Sequence, residues 1–125
     1  MSMPSRLQIR ATPQYQAELS NADEARYCFT YHIEIVNQGE ERVQLLEREW
    51  LITDGDGQQQ TVRGPGVVGE QPFIAPGETF DYQSSVTLRT PLGFMTGFYQ
   101  FQDQQGGLFK AEIPLFTLAV PHLLH

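Results

Sequence analysis

A chain of 125 residues, 40% hydrophobic and 18% charged, suits one compact globular domain over residues 1–125 and leaves no room for a second core. Eight Lys and Arg stand against fifteen Asp and Glu; a net charge of −7 repels phosphate backbones, which excludes a general nucleic-acid binder and favours basic or neutral partners. The single cysteine, Cys28, rules out an intramolecular disulfide and a Cys-rich zinc site.

The opening stretch MSMPSRLQIR has no apolar signal core, and no run of about 20 apolar residues follows, so a cytoplasmic protein without a membrane span is expected. Residues 1–5 read as a flexible tail and residues 6–18 as a first strand. The second strand, over 25–37, has the clearest period. Tyr27, Phe29, Tyr31, Ile33 and Ile35 alternate with Cys28, Thr30, His32 and Glu34, the pattern of a half-buried strand. A third strand is expected over 42–53, with Trp50 as its large core anchor and Leu46 and Ile52 on the same parity. Asp54 to Gly57, DGDG, supplies hairpin chemistry before a fourth strand at 58–63.

The fourth strand runs into VRGPGVVGEQP, which contains Gly64-x-Gly66-x-x-Gly69. That spacing matches a dinucleotide-binding turn, but such a turn must open a helix whose N-terminus holds the pyrophosphate. Pro72 and Pro76 occupy the span of the required helix, so the fingerprint fails its structural test. No Lys-Ser/Thr follows, so a P-loop fails as well. Two readings of the loop remain. Arg63, Gly64, Gly66 and Gly69 would form an anion nest if their backbone N–H groups converged. Alternatively, the glycines supply unusual backbone angles in a connecting loop, and Glu70 and Pro65 favour this second reading.

APGE, Ala75 to Glu78, turns the chain into a strand at 78–89, where Phe80, Tyr82, Ser84, Val86 and Leu88 share a face. Strands at 94–102 and 108–119 are joined by DQQGG, and residues 121–125 read as a second flexible tail. Seven short strands with frequent turns predict an all-β antiparallel β-sandwich of fibronectin type III or immunoglobulin-like kind.

REWLITDGDG, VRGPGVVGEQP, APGETFDYQS, TPLGFMTGFYQF and IPLFTL occur in that order between about Arg26 and Leu118. On these five motifs the chain resembles the bacterial ApaG family, also called CorD. The resemblance implies a fibronectin type III-like sandwich and makes Gly64, Gly66 and Gly69 part of a family signature loop. It also implies association with diadenosine tetraphosphate metabolism and with magnesium and cobalt efflux, and use as a protein-interaction module, without an established catalytic activity. Two positions depart from the pattern: Phe94 stands where a small residue is usual, and Glu49 precedes Trp50 where His or Tyr is common.

Candidate chemistry is sparse. Cys28 and His32 share strand parity, but positions i and i+4 of a strand lie roughly 13 Å apart, too far for a nucleophile–base pair. His122 and His125 lie beyond Pro121 without a third metal ligand nearby, and Asp54 and Asp56 lack the remaining ligands of a calcium loop. The expectation is therefore a non-enzymatic binding domain, without metal or cofactor, that holds an unidentified protein partner. The alternative is a small-anion module for pyrophosphate or a dinucleoside polyphosphate, using Arg63, Gly64, Gly66 and Gly69.

Overall fold

The computed structural model describes residues 6–124. Eight strands form in chain order: β1 (Leu7–Tyr15), β2 (Tyr27–Asn37), β3 (Val43–Asp54), β4 (Gln59–Pro65), β5 (Phe73–Ile74), β6 (Thr79–Leu88), β7 (Leu92–Gln102) and β8 (Leu108–Ala119). All pair antiparallel, as a three-stranded sheet β1-β2-β6 and a five-stranded sheet β4-β3-β7-β8, with β5 added to the start of β3. The expected antiparallel sandwich is the architecture found. Its one unforeseen strand, β5, pairs Phe73 and Ile74 with Gln44 and Val43.

Helical structure among the described residues is limited to 3₁₀ turns at Ala17–Leu19, Ala22–Glu24 and Pro121–Leu124. The first strand ends at Tyr15 rather than at residue 18. Side chains bend the chain there: Ser20 Oγ donates to the Gln16 carbonyl (2.8 Å) and accepts from the Cys28 N–H (2.8 Å), and Asn21 accepts from the Asp23 N–H (3.0 Å).

The core fills the gap between the sheets. Phe29, Tyr31, Ile33 and Ile35 of β2 are buried on the face that the alternation picks out, against Leu45, Trp50, Tyr99, Phe101, Ile113 and Leu118 of the larger sheet. Trp50 is the anchor expected, meeting Tyr31 (5.4 Å), Phe116 (5.9 Å) and Tyr99 (6.3 Å) edge-on or nearly so. Leu46 does not join it. A bulge between Leu45 and Glu47 switches the parity of β3, so Val43 and Leu45 face inward before it, Trp50 and Ile52 after it.

A second irregularity lies between β7 and β8, where Met95 pairs with Phe116 but Gly97 with Ile113. Pro114 falls in the extra length of β8, an edge strand, where a missing N–H is tolerated. Gly97 stands opposite Trp50 in β3, and a Cβ there would lie 2.0 Å from the Glu49 carbonyl oxygen. β1 packs against β8 and closes one flank of the sandwich. The opposite flank is bounded by the free edges of β4 and β6.

Candidate functional site

The glycine stretch is a strand end followed by a tight turn. Gly64 lies within β4, paired with Arg48 of β3. Gly66 (φ +59°) redirects the chain, and its N–H donates to the Leu46 carbonyl (2.7 Å). Val67 is fully enclosed and exchanges two backbone hydrogen bonds with Glu70 (2.8 and 2.9 Å) around Val68 (φ +43°) and Gly69 (φ +82°). Positive φ at both central positions is the signature of a type I′ turn. The chain then proceeds to β5, and no helix opens after the glycines.

Gly66 is required by sterics, whereas Gly64 lies in close contact with the flexible end of Arg48. A Cβ on Gly66 would sit 2.1 Å from the Glu70 carbonyl oxygen, and one on Gly64 would meet Arg48 Nη1 at 3.2 Å. Gly69 has open space around it and serves the turn through its φ alone.

Arg63 points the other way. Successive strand residues face opposite sides, and Arg63 lies on the outer surface of the larger sheet, with Nη2 3.6 Å from Glu47 and Nε 3.9 Å from Glu49. The structure therefore does not bring Arg63, Gly64, Gly66 and Gly69 to one point: the arginine is outside, Gly64 faces inward and Gly69 is at the turn tip. The cation beside the loop is Arg48, which the sequence reading passed over. Its Nη1 donates to the carbonyls of Pro65 (3.0 Å) and Gly66 (2.9 Å). The signal was present, because Arg48 shares the parity of Trp50, the residue chosen as the core anchor.

Around Arg48 the interior is phenolic. Arg48 pairs with Tyr99 across β7, and the Tyr99 and Tyr82 hydroxyls form a buried hydrogen bond linking the two sheets. Ser84 hydrogen-bonds Tyr31, its cross-strand neighbour. Burial pushes the phenols of Tyr31, Tyr82 and Tyr99 above their ordinary value, and the charge of Arg48 partly opposes this at all three.

A different surface covers the outside of the larger sheet. Leu51, Thr61, Thr96 and Phe98 line a shallow depression of about 390 Å³ whose rim includes Glu49 and Glu112. Phe94 (39% exposed) lies farther along β7 on the same outward parity, and Leu115 (61% exposed) lies in the irregular stretch of β8. Lys110 Nζ stands 4.3 Å over the Phe98 ring. Glu49 and Phe94 thus fall on one face.

The remaining candidates are dispersed. Cys28 Sγ bonds the Leu19 carbonyl (3.1 Å), whereas His32 Nε2 bonds Asp81 (2.7 Å). Asp54 Oδ1 accepts from the N–H groups of Asp56 and Gln58 (both 2.9 Å), which closes the hairpin turn. His122 is exposed in the last 3₁₀ turn, and His125 lies outside the described residues. Among the described residues, no three His, Cys, Asp or Glu are grouped to hold a metal ion, and no helix is long and apolar enough to cross a membrane.

The ApaG domain family model matches residues 17–103. The chain is 49% identical over 120 residues to protein ApaG of Aromatoleum aromaticum, covering 96% of this chain and 94% of that one. Against protein ApaG of Methylocella silvestris it is 51% identical over 115 residues, 92% of this chain and 88% of that one. A crystal structure described as the ApaA protein of Bordetella pertussis superposes with a TM-score of 0.90 at 44% identity, covering 92% of this chain and 94% of that one.

Proposed function

The chain belongs to the ApaG family, and from that premise we propose that it is a non-enzymatic, cytoplasmic binding domain whose partner is another protein. The outer face of the five-stranded sheet carries this reading. It presents Leu51, Phe94 and Phe98 around a depression rimmed by Glu49 and Glu112, with Leu115 exposed close by. Such an apolar centre with a charged rim is the anatomy of a protein interface. The net charge of −7 favours a partner that is basic where it docks. The resemblance would place that partner in diadenosine tetraphosphate metabolism or in magnesium and cobalt efflux.

The test is capture from a cell extract by wild type and by a Phe94→Ser/Leu115→Ser variant. Both side chains are exposed, so the variant should unfold at the wild-type denaturant concentration. A partner held by wild type and lost by the variant is the expected result. Retention of the same partner by both would count against this face.

The second reading, a pyrophosphate or dinucleoside polyphosphate module built on Arg63, Gly64, Gly66 and Gly69, has thinner support. Arg63 pairs with two glutamates and the Gly66 N–H is engaged by Leu46. Arg63→Ala, by this reading, would weaken pyrophosphate binding with a marked salt dependence.

A further inference from the structure

We infer that Arg48, with the hydroxyl of Tyr82, forms a seat for a small oxyanion, a single phosphoryl or carboxylate group, at the open flank between β4 and β6. The inference is independent of the protein partner proposed above.

Arg48 follows the bulge of β3 and so occupies the core-facing row of that strand, two residues before Trp50. A guanidinium in that position loses water and needs acceptors in return. Five of the seven other cations are differently placed, Arg10 and Arg89 excepted. Arg6, Arg26 and Arg63 have carboxylates within 4.0 Å, and Arg42 and Lys110 stand over the rings of Phe73 and Phe98. Among the described residues Arg48 has no carboxylate within that reach; Glu47 and Glu49, its chain neighbours, pair with Arg63 on the outer face. Its two recorded acceptors are neutral carbonyls, and both take Nη1. A guanidinium carries five N–H donors, so Nε and Nη2 retain theirs for a further acceptor.

Tyr82 supplies a donor from the other sheet. Tyr99 is fully enclosed, and its only hydrogen-bond partner among the described residues is Tyr82. Tyr99 must therefore donate, which leaves the proton of Tyr82 available at the β6 edge. Ser84, next on the same inward row of β6, gives its proton to Tyr31. Gly64 lies against the guanidinium, and a Cβ there would be 3.2 Å from Nη1 and 3.3 Å from Nη2. A side chain there would press on the guanidinium, which would have to give by a few tenths of an ångström. The glycines of the signature stretch thus serve the seat by shape: Gly64 admits Arg48, and Gly66 aims its carbonyl at Nη1. Guanidinium donors left over at Nε and Nη2 near the Tyr82 hydroxyl, with no anion supplied by the described residues, are the chemistry that recognises a carboxylate or phosphoryl group.

The experiment titrates the full chain separately with sodium pyrophosphate and sodium acetate, against sodium chloride at matched ionic strength. Amide NMR shifts at Arg48, Gly64 and Tyr82 are followed with the fluorescence of Trp50, whose ring lies 6.3 Å from Tyr99 and 5.4 Å from Tyr31. A saturable response to either probe in wild type is expected. Pyrophosphate alone identifies a phosphoryl seat, acetate alone a carboxylate seat. Arg48→Gln should weaken it about tenfold or more, as for a lost charged hydrogen bond, and Tyr82→Phe about fivefold. Arg63→Ala should leave it within about twofold after correction for ionic strength. No saturable response in wild type, or an equal response in Arg48→Gln, would overturn the inference. If Arg48→Gln fails to fold, Tyr82→Phe, which leaves the Pro65 and Gly66 contacts intact, decides: an unchanged response there also overturns it.

Discussion

Replacing Gly66 with alanine should damage the fold more than the same change at Gly69, although both glycines have positive φ. An L-residue held in the left-handed region costs about 1–2 kcal/mol, and both variants bear that cost. Only Gly66→Ala adds a collision, because its new Cβ would sit 2.1 Å from the carbonyl oxygen of Glu70, whereas nothing lies within 4 Å of the corresponding position at Gly69. That carbonyl accepts from the Val67 N–H at 2.8 Å, so relieving the collision distorts the bridge that closes the type I′ turn. A disrupted hydrogen bond adds about 1 kcal/mol, and displacement of the fully enclosed Val67 adds to it. The expected losses are about 2–4 kcal/mol for Gly66→Ala and about 1–2 kcal/mol for Gly69→Ala. Urea unfolding followed by circular dichroism measures both, and an unchanged m-value shows that the native state is what changed. Equal losses for the two variants, or a larger loss at Gly69, would refute the steric account of the signature loop.

Trp50→Ala should destabilise the protein by about 3–5 kcal/mol, as loss of a large core aromatic does, and native Trp50 emission should be blue-shifted relative to the unfolded chain. Tyr99→Phe and Tyr82→Phe should each cost about 1–3 kcal/mol where they leave a buried hydroxyl without its partner, while the double variant should cost less than the sum. Double-mutant unfolding experiments check this, and strict additivity would count against the Tyr82–Tyr99 bond. The phenols of Tyr31, Tyr82 and Tyr99 have folded-state values raised chiefly by burial. Their contribution is therefore intact below about pH 10, and stability falls as pH rises above it, because the unfolded chain loses its phenolic protons first. In an alkaline titration, tyrosinate absorbance from these residues should appear together with loss of the β-sheet signal; appearance well before unfolding would show the phenols to be accessible.

The amino-acid sequence by itself determined the fold class and the family. Alternation in Tyr27 to Ile35 can be satisfied only by a strand with one buried face, and Pro72 and Pro76 forbid the helix that a dinucleotide turn needs, so both conclusions followed from local constraints. Trp50 was legible for the same reason. What local pattern could not supply was register. The bulge at Leu45–Glu47 reverses which residues of β3 face inward before and after it, so Leu45 takes the core position assigned to Leu46. Short β5 was unreadable because two residues carry no period, and its existence depends on pairing with Val43 and Gln44 thirty residues away. The candidate site divides in the same way. Gly66 and Gly69 are legible as residues with unusual backbone angles, but only the tertiary structure turns Arg63 out to Glu47 and Glu49 and brings Arg48 against Gly64, Pro65 and Gly66. Which arginine a loop meets depends on strand pairing and on the side of the sheet each residue faces, and those are long-range properties of the chain.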